Sequence, residues 1–344
     1  MLDALELPIV GAPLGGGASN PALAAAVSEA GGLGFLASSY KTPDAMAADI
    51  AAVRGLTGRP FGVNVFAFTP TEAPPEQLEA YRREVAVHGA EPGVPSTDDD
   101  FYAEKVERLL ADPVPVVSFT FGCPPADAVE RFKRAGSAVW VTVTVPDEAR
   151  AAAAAGADAV VVQGVEAGGH RGSFADDAPG DIGLLALLQL VSAAVDVPMV
   201  ASGGIATGAG IAAVLAAGAS AAQIGTALMR CPEAGTSEVH RDALARPGRT
   251  ALTRAFTGRT ARGIANAFMR EHEPHAPHAY PAVHHVTSPI RAHARTTGDP
   301  ELLNLWAGQA HELIADEPAG ELVRRLHDEA VGAIAKLLRR VDRG

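Results

Sequence analysis

His170 is the residue whose neighbours best prepare it to move a proton. The apolar β-branched run Val160-Val161-Val162 stops at Gln163 and gives way to Gly164-Val165-Glu166-Ala167-Gly168-Gly169-His170-Arg171-Gly172. Such a run is of strand length, and the glycines after it mark a turn. They permit backbone angles barred to other residues and let main-chain N–H groups approach a ligand closely. An imidazole held there can act as a general acid or base near neutral pH. The alternative is a solvated histidine in an ordinary turn.

Two further stretches suit a phosphate. Ser202-Gly203-Gly204 and Gln223-Ile224-Gly225-Thr226 each end a β-rich run and open a helix, where free N–H groups and the helix dipole attract anions. The amides of Asn64, Gln163 and Gln223 offer both donors and acceptors, which suits the edge of a heterocycle such as flavin. Each could instead satisfy backbone at a strand end. The loop Pro13-Leu14-Gly15-Gly16-Gly17 follows the first strand and faces the same way, as do Ser118, Thr120 and Thr142. The histidines at 272, 275, 278, 284 and 285 crowd a stretch broken by prolines, which forbid the regular helix that would align an i, i+4 pair. No metal is expected.

The elements that must position these residues alternate from Pro8 onward between β-branched and Ala/Leu-rich segments, the pattern of parallel βα units. Strands are expected at Ile9–Ala12, Gly34–Ala37, Phe61–Phe66, Val114–Thr120, Ala138–Val143, Asp158–Gln163, Val197–Ala201 and Ala221–Gly225. Eight such units over about 225 residues match a (β/α)₈ TIM barrel, whose chemistry sits at the C-terminal strand ends. A doubly wound sheet would lead with G-x-G-x-x-G, and Gly15-Gly16-Gly17 lacks that spacing. The charged insertion Thr69–Leu110 holds two helical patterns around a break at Glu91–Ser96, in the place of a lid, a substrate wall or a plain surface elaboration. Residues 1–229 are assigned to the barrel and 230–312 to a small, mainly helical subdomain on the substrate side, without strands. A helix over 313–344 closes the barrel.

Composition narrows the partners. A net charge of −12 on 344 residues, with no basic stripe, disfavours nucleic acid. Two cysteines, Cys123 and Cys231, form neither a disulfide framework nor a metal spacing, and the first residues lack a signal-peptide pattern, so a cytoplasmic monomer or homodimer is expected. Ser202–Met229 carries no charge and is long enough to span a bilayer. Its many glycines and polar residues indicate instead a buried helix between two buried strands.

With these residues assembled, the chain resembles the bacterial nitronate monooxygenases, also called 2-nitropropane dioxygenases. The carriers are Gly11–Gly17, Ala30–Gly34, Gly62–Phe66, Gln163–Gly172, Ala201–Ile205, Gln223–Ala227, Phe256–Arg259 and Leu305–Gln309. The resemblance implies an FMN-containing barrel that oxidises alkyl nitronates with O₂ to a carbonyl compound and nitrite. It places FMN on Ala12, Pro13, Leu14, Asn64, Gln163, Gly168, Gly169, Ser202, Gly203, Gly204, Gln223, Ile224, Gly225 and Thr226, and makes His170 catalytic. Propionate 3-nitronate is a substrate by analogy. The family often carries an asparagine where this chain has His284-His285, so the substrate wall departs from the family pattern there. FMN- and NADH-dependent enoyl-acyl-carrier-protein reductases share a similar turn and are the enzyme alternative, with an NADH:quinone reductase beside them. A flavin- or phosphate-binding protein without turnover is the third reading.

Overall fold

The computed structural model describes residues 2–177 and 180–341. In chain order the strands are β1 (Ile9–Gly11), β2 (Gly34–Ala37), β3 (Phe61–Phe66), β4 (Val116–Thr120), β5 (Ala138–Val143), β6 (Ala159–Gln163), β7 (Gly169–His170), β8 (Met199–Ser202), β9 (Ala221–Ile224), β10 (Thr250–Thr253) and β11 (Ala261–Ile264). The helices are α1 (Pro21–Glu29), α2 (Pro43–Leu56), α3 (Pro75–Glu84), α4 (Tyr102–Ala111), α5 (Ala126–Ala135), α6 (Pro146–Ala154), α7 (Leu184–Ser192), α8 (Gly208–Ala216), α9 (Glu238–Leu244), α10 (Ala267–His272), α11 (Ala282–Thr297) and α12 (Ala319–Val341).

Eight strands pair in the order β1-β9-β8-β6-β5-β4-β3-β2. A parallel bridge between Val10 and Leu33 brings the first strand to the last, with Gly11 N donating to Leu33 O at 2.9 Å. This is the expected (β/α)₈ barrel. Its strands are buried on both faces, as parallel strands covered by helices must be. Inside, Val10, Phe35, Val116, Trp140, Val161, Val200 and Ala221 pack into one cluster, with the Phe35 and Trp140 rings 5.6 Å apart. The barrel is therefore plugged, not a pore.

Local chemistry starts the helices. Asn20 accepts from Leu23 N ahead of Pro21, Thr42 from Ala45 N ahead of Pro43, and Thr207 from Gly210 N. The uncharged Ser202–Met229 stretch is the end of β8, helix α8 and strand β9. Among the described residues no helix is long and apolar enough to cross a membrane.

The segment after residue 229 differs from expectation. It contains two strands, β10 and β11, which join β7 in a three-stranded antiparallel sheet. Thr250-Ala-Leu-Thr and Ala261-Arg-Gly-Ile carry little alternation of their own; they pair with each other, and β7, which completes the sheet, lies far away in sequence. The insertion contributes α3 and α4, and it packs on the same segment: Tyr81 donates to Ala255 O, Thr71 N to Tyr280 O, and Gly93 N to Val286 O. The closing helix is α12, packed against α8 and α1. The last expected positions of that helix, 342–344, lie outside the described residues.

Two glycines test the packing. A Cβ on Gly34 would sit 1.9 Å from the Ala24 carbonyl oxygen, backbone that cannot yield, whereas one on Gly55 in α2 meets nothing within 4 Å. Gly34→Ala should destabilise by about 3 kcal/mol through overpacking. Gly55→Ala should stabilise by about 0.5–1 kcal/mol through lower unfolded-state entropy. Chemical denaturation of the two variants measures this, and shifts of the same sign would overturn the packing argument.

Candidate active site

Alternate residues of a strand face the same side, so the positions two beyond the barrel plug point inward and up. Val10 is followed by Ala12, Gly62 by Asn64, Trp140 by Thr142, Val161 by Gln163, Val200 by Ser202 and Ala221 by Gln223. All six of these residues line a single cavity of about 450 Å³ at the C-terminal end of the barrel. Pro13, Leu14, Gly168, Gly169, His170, Gly203, Gly204, Gly225 and Thr226 line it too. Ile224 does not. It is fully buried in the core outside the barrel, and its carbonyl accepts from Ala12 N at 2.8 Å. The strand period explains this, because Gln223 faces in and Ile224 must face out.

The three amides differ in what they have left to offer. Asn64 Nδ2 donates to Ser118 O, Ser118 Oγ and Thr120 Oγ1 at 2.9–3.2 Å. A carbonyl can only accept, so the amide orientation is fixed and Oδ1 remains as an acceptor. Gln223 Nε2 donates to Ser202 Oγ and likewise keeps its Oε1. Gln163 is largely committed to its own loop: Oε1 accepts from Arg171 and Gly172 N, and Nε2 donates to His170 O. One Nε2 hydrogen is left.

At the strand ends opposite, the N–H groups of Gly204, Gly225 and Thr226 donate to no described residue. Gly203 and Gly204 hold φ of +118° and +67°, which favours glycine. The same cavity is lined by Thr236, Asn304 and His311, whose Oγ1, Oδ1 and both ring nitrogens are buried without partners. Free N–H groups beside orphaned polar atoms fit a phosphate followed by a hydroxylated chain, as FMN carries.

His170 is held by β7, which pairs with β11. The next residue, Arg171, is buried and donates to the carbonyls of Gln163, Gly164 and Gly180. The ring sits among Phe121, Tyr280 and Trp306 at 5.6–5.8 Å. Its Nε2 lies 2.9 Å from Thr257 Oγ1, which also contacts Arg259 O at 3.1 Å and Arg259 N at 3.4 Å. A hydroxyl has one proton, and the carbonyl requires it, so His170 must donate from Nε2. Nδ1 then carries the lone pair, with no hydrogen bond to the described residues. Burial, with the Arg259 and Arg291 guanidiniums adding to it, pulls the imidazole from 6.5 to about 3. His170 is neutral at physiological pH, so of the two roles an imidazole could take, the neutral one applies to the free protein.

Several cavity residues were not visible as a group in the sequence: Tyr40, Phe121, Thr257, His284, Arg291 and Trp306. Phe256-Thr257-Gly258-Arg259 and the Trp306 segment stood out only by resemblance. The remaining histidines disperse. His272 contacts Glu84 and His88 at 2.6 Å each, His278 lies 3.3 Å from Asp176, and His285 lies 2.6 Å from Asp98. His88, Glu271 and His272 bring one ligand atom each within 4.8 Å of one another, and none of the three lines the cavity. Burial raises the thiols of Cys123 and Cys231 to about 11 and about 12, which leaves neither a nucleophile.

Comparison with known proteins agrees with this geometry. The sequence profile of the family described as nitronate monooxygenase matches residues 1–329. A nitronate monooxygenase of Pseudomonas aeruginosa is 43% identical over 345 residues, covering 95% of this chain and 97% of that one. Among solved structures, nitroalkane oxidase from Streptomyces ansochromogenes superposes with a TM-score of 0.94 at 53% identity, covering 97% of this chain and 99% of the other. FabK from Thermotoga maritima superposes with a TM-score of 0.78 at 30% identity, covering 98% and 97%.

The protonation state of His170 can be read directly from imidazole ¹⁵N shifts. They should report a neutral Nε2–H tautomer from pH 8 down to pH 5. Thr257→Val should shift the population toward Nδ1–H. A His170 titration midpoint near the ordinary 6.5 would overturn this picture of the site.

Proposed function

The chain belongs to the nitronate monooxygenase family of flavin-dependent oxidoreductases, and we propose that it oxidises alkyl nitronates, propionate 3-nitronate among them, with O₂ to a carbonyl compound and nitrite. The observation that carries this reading is a neutral, weakly basic histidine in a cavity that also holds arginines without carboxylate partners among the described residues. A nitronate is already a carbanion equivalent and needs no strong base. The arginines offset its charge.

We propose FMN as the flavin. Its phosphate is assigned to the N–H groups of Gly204, Gly225 and Thr226, and its ring edge to Asn64 Oδ1, Gln223 Oε1 and the spare Nε2 hydrogen of Gln163. When bound, FMN supplies the electron acceptor for the nitronate and the electron donor for O₂. The chain's own residues hold and shield. Phe121, Tyr280 and Trp306 exclude water around the reacting carbon, and His170, its Nε2 held by Thr257, keeps the Nδ1 lone pair free. With a neutral nitroalkane, the same atom would have to remove the α-proton. General-base efficiency falls when the base is much weaker than the operating pH requires.

The likeness to FabK favours one competing reading, an NADH-dependent reductase. Anaerobic mixing separates them: bleaching of the flavin by a nitronate but not by NADH supports the proposal, and the reverse pattern favours the reductase.

Two variants extend the test. A Cβ at Gly204 would meet Glu166 Cβ at 3.0 Å on a left-handed backbone, so Gly204→Leu should purify largely without flavin. Full occupancy would sink the phosphate assignment. Wild-type kcat/KM should be far higher for a nitronate than for its parent nitroalkane. His170→Asn should cut nitroalkane turnover by ~10²-fold or more and nitronate turnover by less; losses within twofold for both substrates would make His170 a bystander.

A further inference from the structure

We propose that His88, Glu271 and His272 form a zinc site, separate from the active-site cavity, that staples the insertion between β3 and β4 to the segment after the barrel. Each residue offers one ligand atom, and these atoms lie within 4.8 Å of one another. His88 lies just beyond α3, while Glu271 and His272 close α10. The two imidazoles are 184 residues apart in sequence. The proline-broken run from His272 to His285 holds no such set by itself, and the second imidazole arrives only when the insertion packs against it.

Hydrogen bonding sets the tautomer of His272. Its Nδ1 lies 2.6 Å from Glu84 Oε1, and a carboxylate oxygen accepts, so Nδ1 carries the proton. The lone pair of the neutral ring is then on Nε2, which faces His88 Nε2 at 2.6 Å. Two lone pairs that close repel, so the rings must share either a proton or a cation. The surroundings favour the cation. Glu271 brings a carboxylate to the same point as a third ligand. A carboxylate behind the far ring nitrogen, as Glu84 is here, orients an imidazole ligand and makes it more basic. The other Glu84 oxygen lies 3.2 Å from His275 Nδ1, which steadies it.

Two histidine nitrogens and a carboxylate oxygen, with water in the fourth position, are a set that zinc accepts. Zn–N bonds of about 2.0–2.1 Å put two tetrahedral ligands roughly 3.3 Å apart, so the rings need open by less than ~1 Å. His88 can supply that movement, because it is half-buried in a turn before Gly89, whose φ is +75°.

The staple sits behind the aromatic wall of the active site. Phe268 packs 5.4 Å from His88 and 4.6 Å from His272, and it stacks on Phe256 at 4.6 Å. Phe256 meets Trp306 at 5.7 Å, and Trp306 meets His170 at 5.6 Å. The ion would hold this wall and take no part in the reaction.

Calorimetric titration of untagged, flavin-loaded, EDTA-treated protein with zinc chloride tests the site without any substrate. The wild type should bind one equivalent per chain, and X-ray absorption at the zinc edge should show two imidazole nitrogens at about 2.0–2.1 Å. At a hundredfold excess over Kd, zinc should raise Tm by about 3–4 °C. Glu84→Ala, which removes the orienting carboxylate, should weaken binding ~10–100-fold, and His88→Ala by more than that. All these variants leave the buried His272 in place. Glu271→Ala changes an exposed residue, should weaken binding at least ~10-fold, and carries the test should His88→Ala fail to fold. Equal affinity in the wild type and either ligand variant would assign the ion to other histidines and overturn the site. No stoichiometric zinc on the wild type would mean that the two rings share a proton, and would overturn it as well.

Discussion

The inside of an eight-stranded barrel is too wide to leave empty and too narrow for a ligand, so it must be filled, and the filling decides where chemistry can occur. Here Phe35 and Trp140 fill it, with Gly62 giving up its side chain to make room: a Cβ there would lie 2.3 Å from the Phe35 ring. Above that plug the strand period of two continues, and the next inward positions are occupied by Asn64, Thr142, Gln163, Ser202 and Gln223. The polar floor of the cavity is thus the continuation of the apolar core by one more step of the same alternation. It needs no separate device.

The walls are another matter, because they come from chain segments that the barrel does not dictate. His170 leaves the barrel on the loop after β6 and is captured by β11, Thr257 and the aromatic rings around it. Arg171 secures the base of that loop by spending its guanidinium on carbonyls and an amide oxygen rather than on an acid. Such a group is expensive to bury and strongly directional once buried. It fixes the turn and consumes most of Gln163, so the amide that looks most like a ligand contact in sequence is mainly a structural brace.

This division governs what could be read before the fold was known. The strands, the glycine turns and the capping residues are local, and the eight units, the uncharged helix between β8 and β9 and both helices of the insertion are legible from a few neighbouring residues each. Strands β10 and β11 were not, since neither four-residue segment alternates clearly and the strand that completes their sheet, Gly169-His170, lies far back in the sequence. Ile224 was grouped with Gln223 by proximity in sequence, and strand geometry separates them. Thr257, His284 and Arg291 reach the cavity from over a hundred residues beyond the Asn64 strand, on elements whose placement depends on tertiary packing. No spacing rule could have put them opposite His170.

The electrostatics of the cavity run against those of the whole chain. A protein with a net charge of −12 repels anions at long range, yet Arg259 and Arg291 both act on His170, and Arg259 lies 4.0 Å over the Phe121 ring. At a Debye length of roughly 8 Å in physiological salt, the acidic exterior is screened from a site this enclosed, and the local cations set the field. Burial, with the same cations adding to it, explains why His170 and His284 stay neutral. A proton on His170 or His284 would have to share the space with guanidinium groups that cannot lose theirs, so the positive charge stays on arginine and the imidazoles keep lone pairs and single N–H donors. A site built in this way holds an anion by fixed charge and directs it by neutral hydrogen bonds. Its affinity for an anionic substrate therefore does not depend on protonating His170 or His284, and neither has to change state before an anion enters.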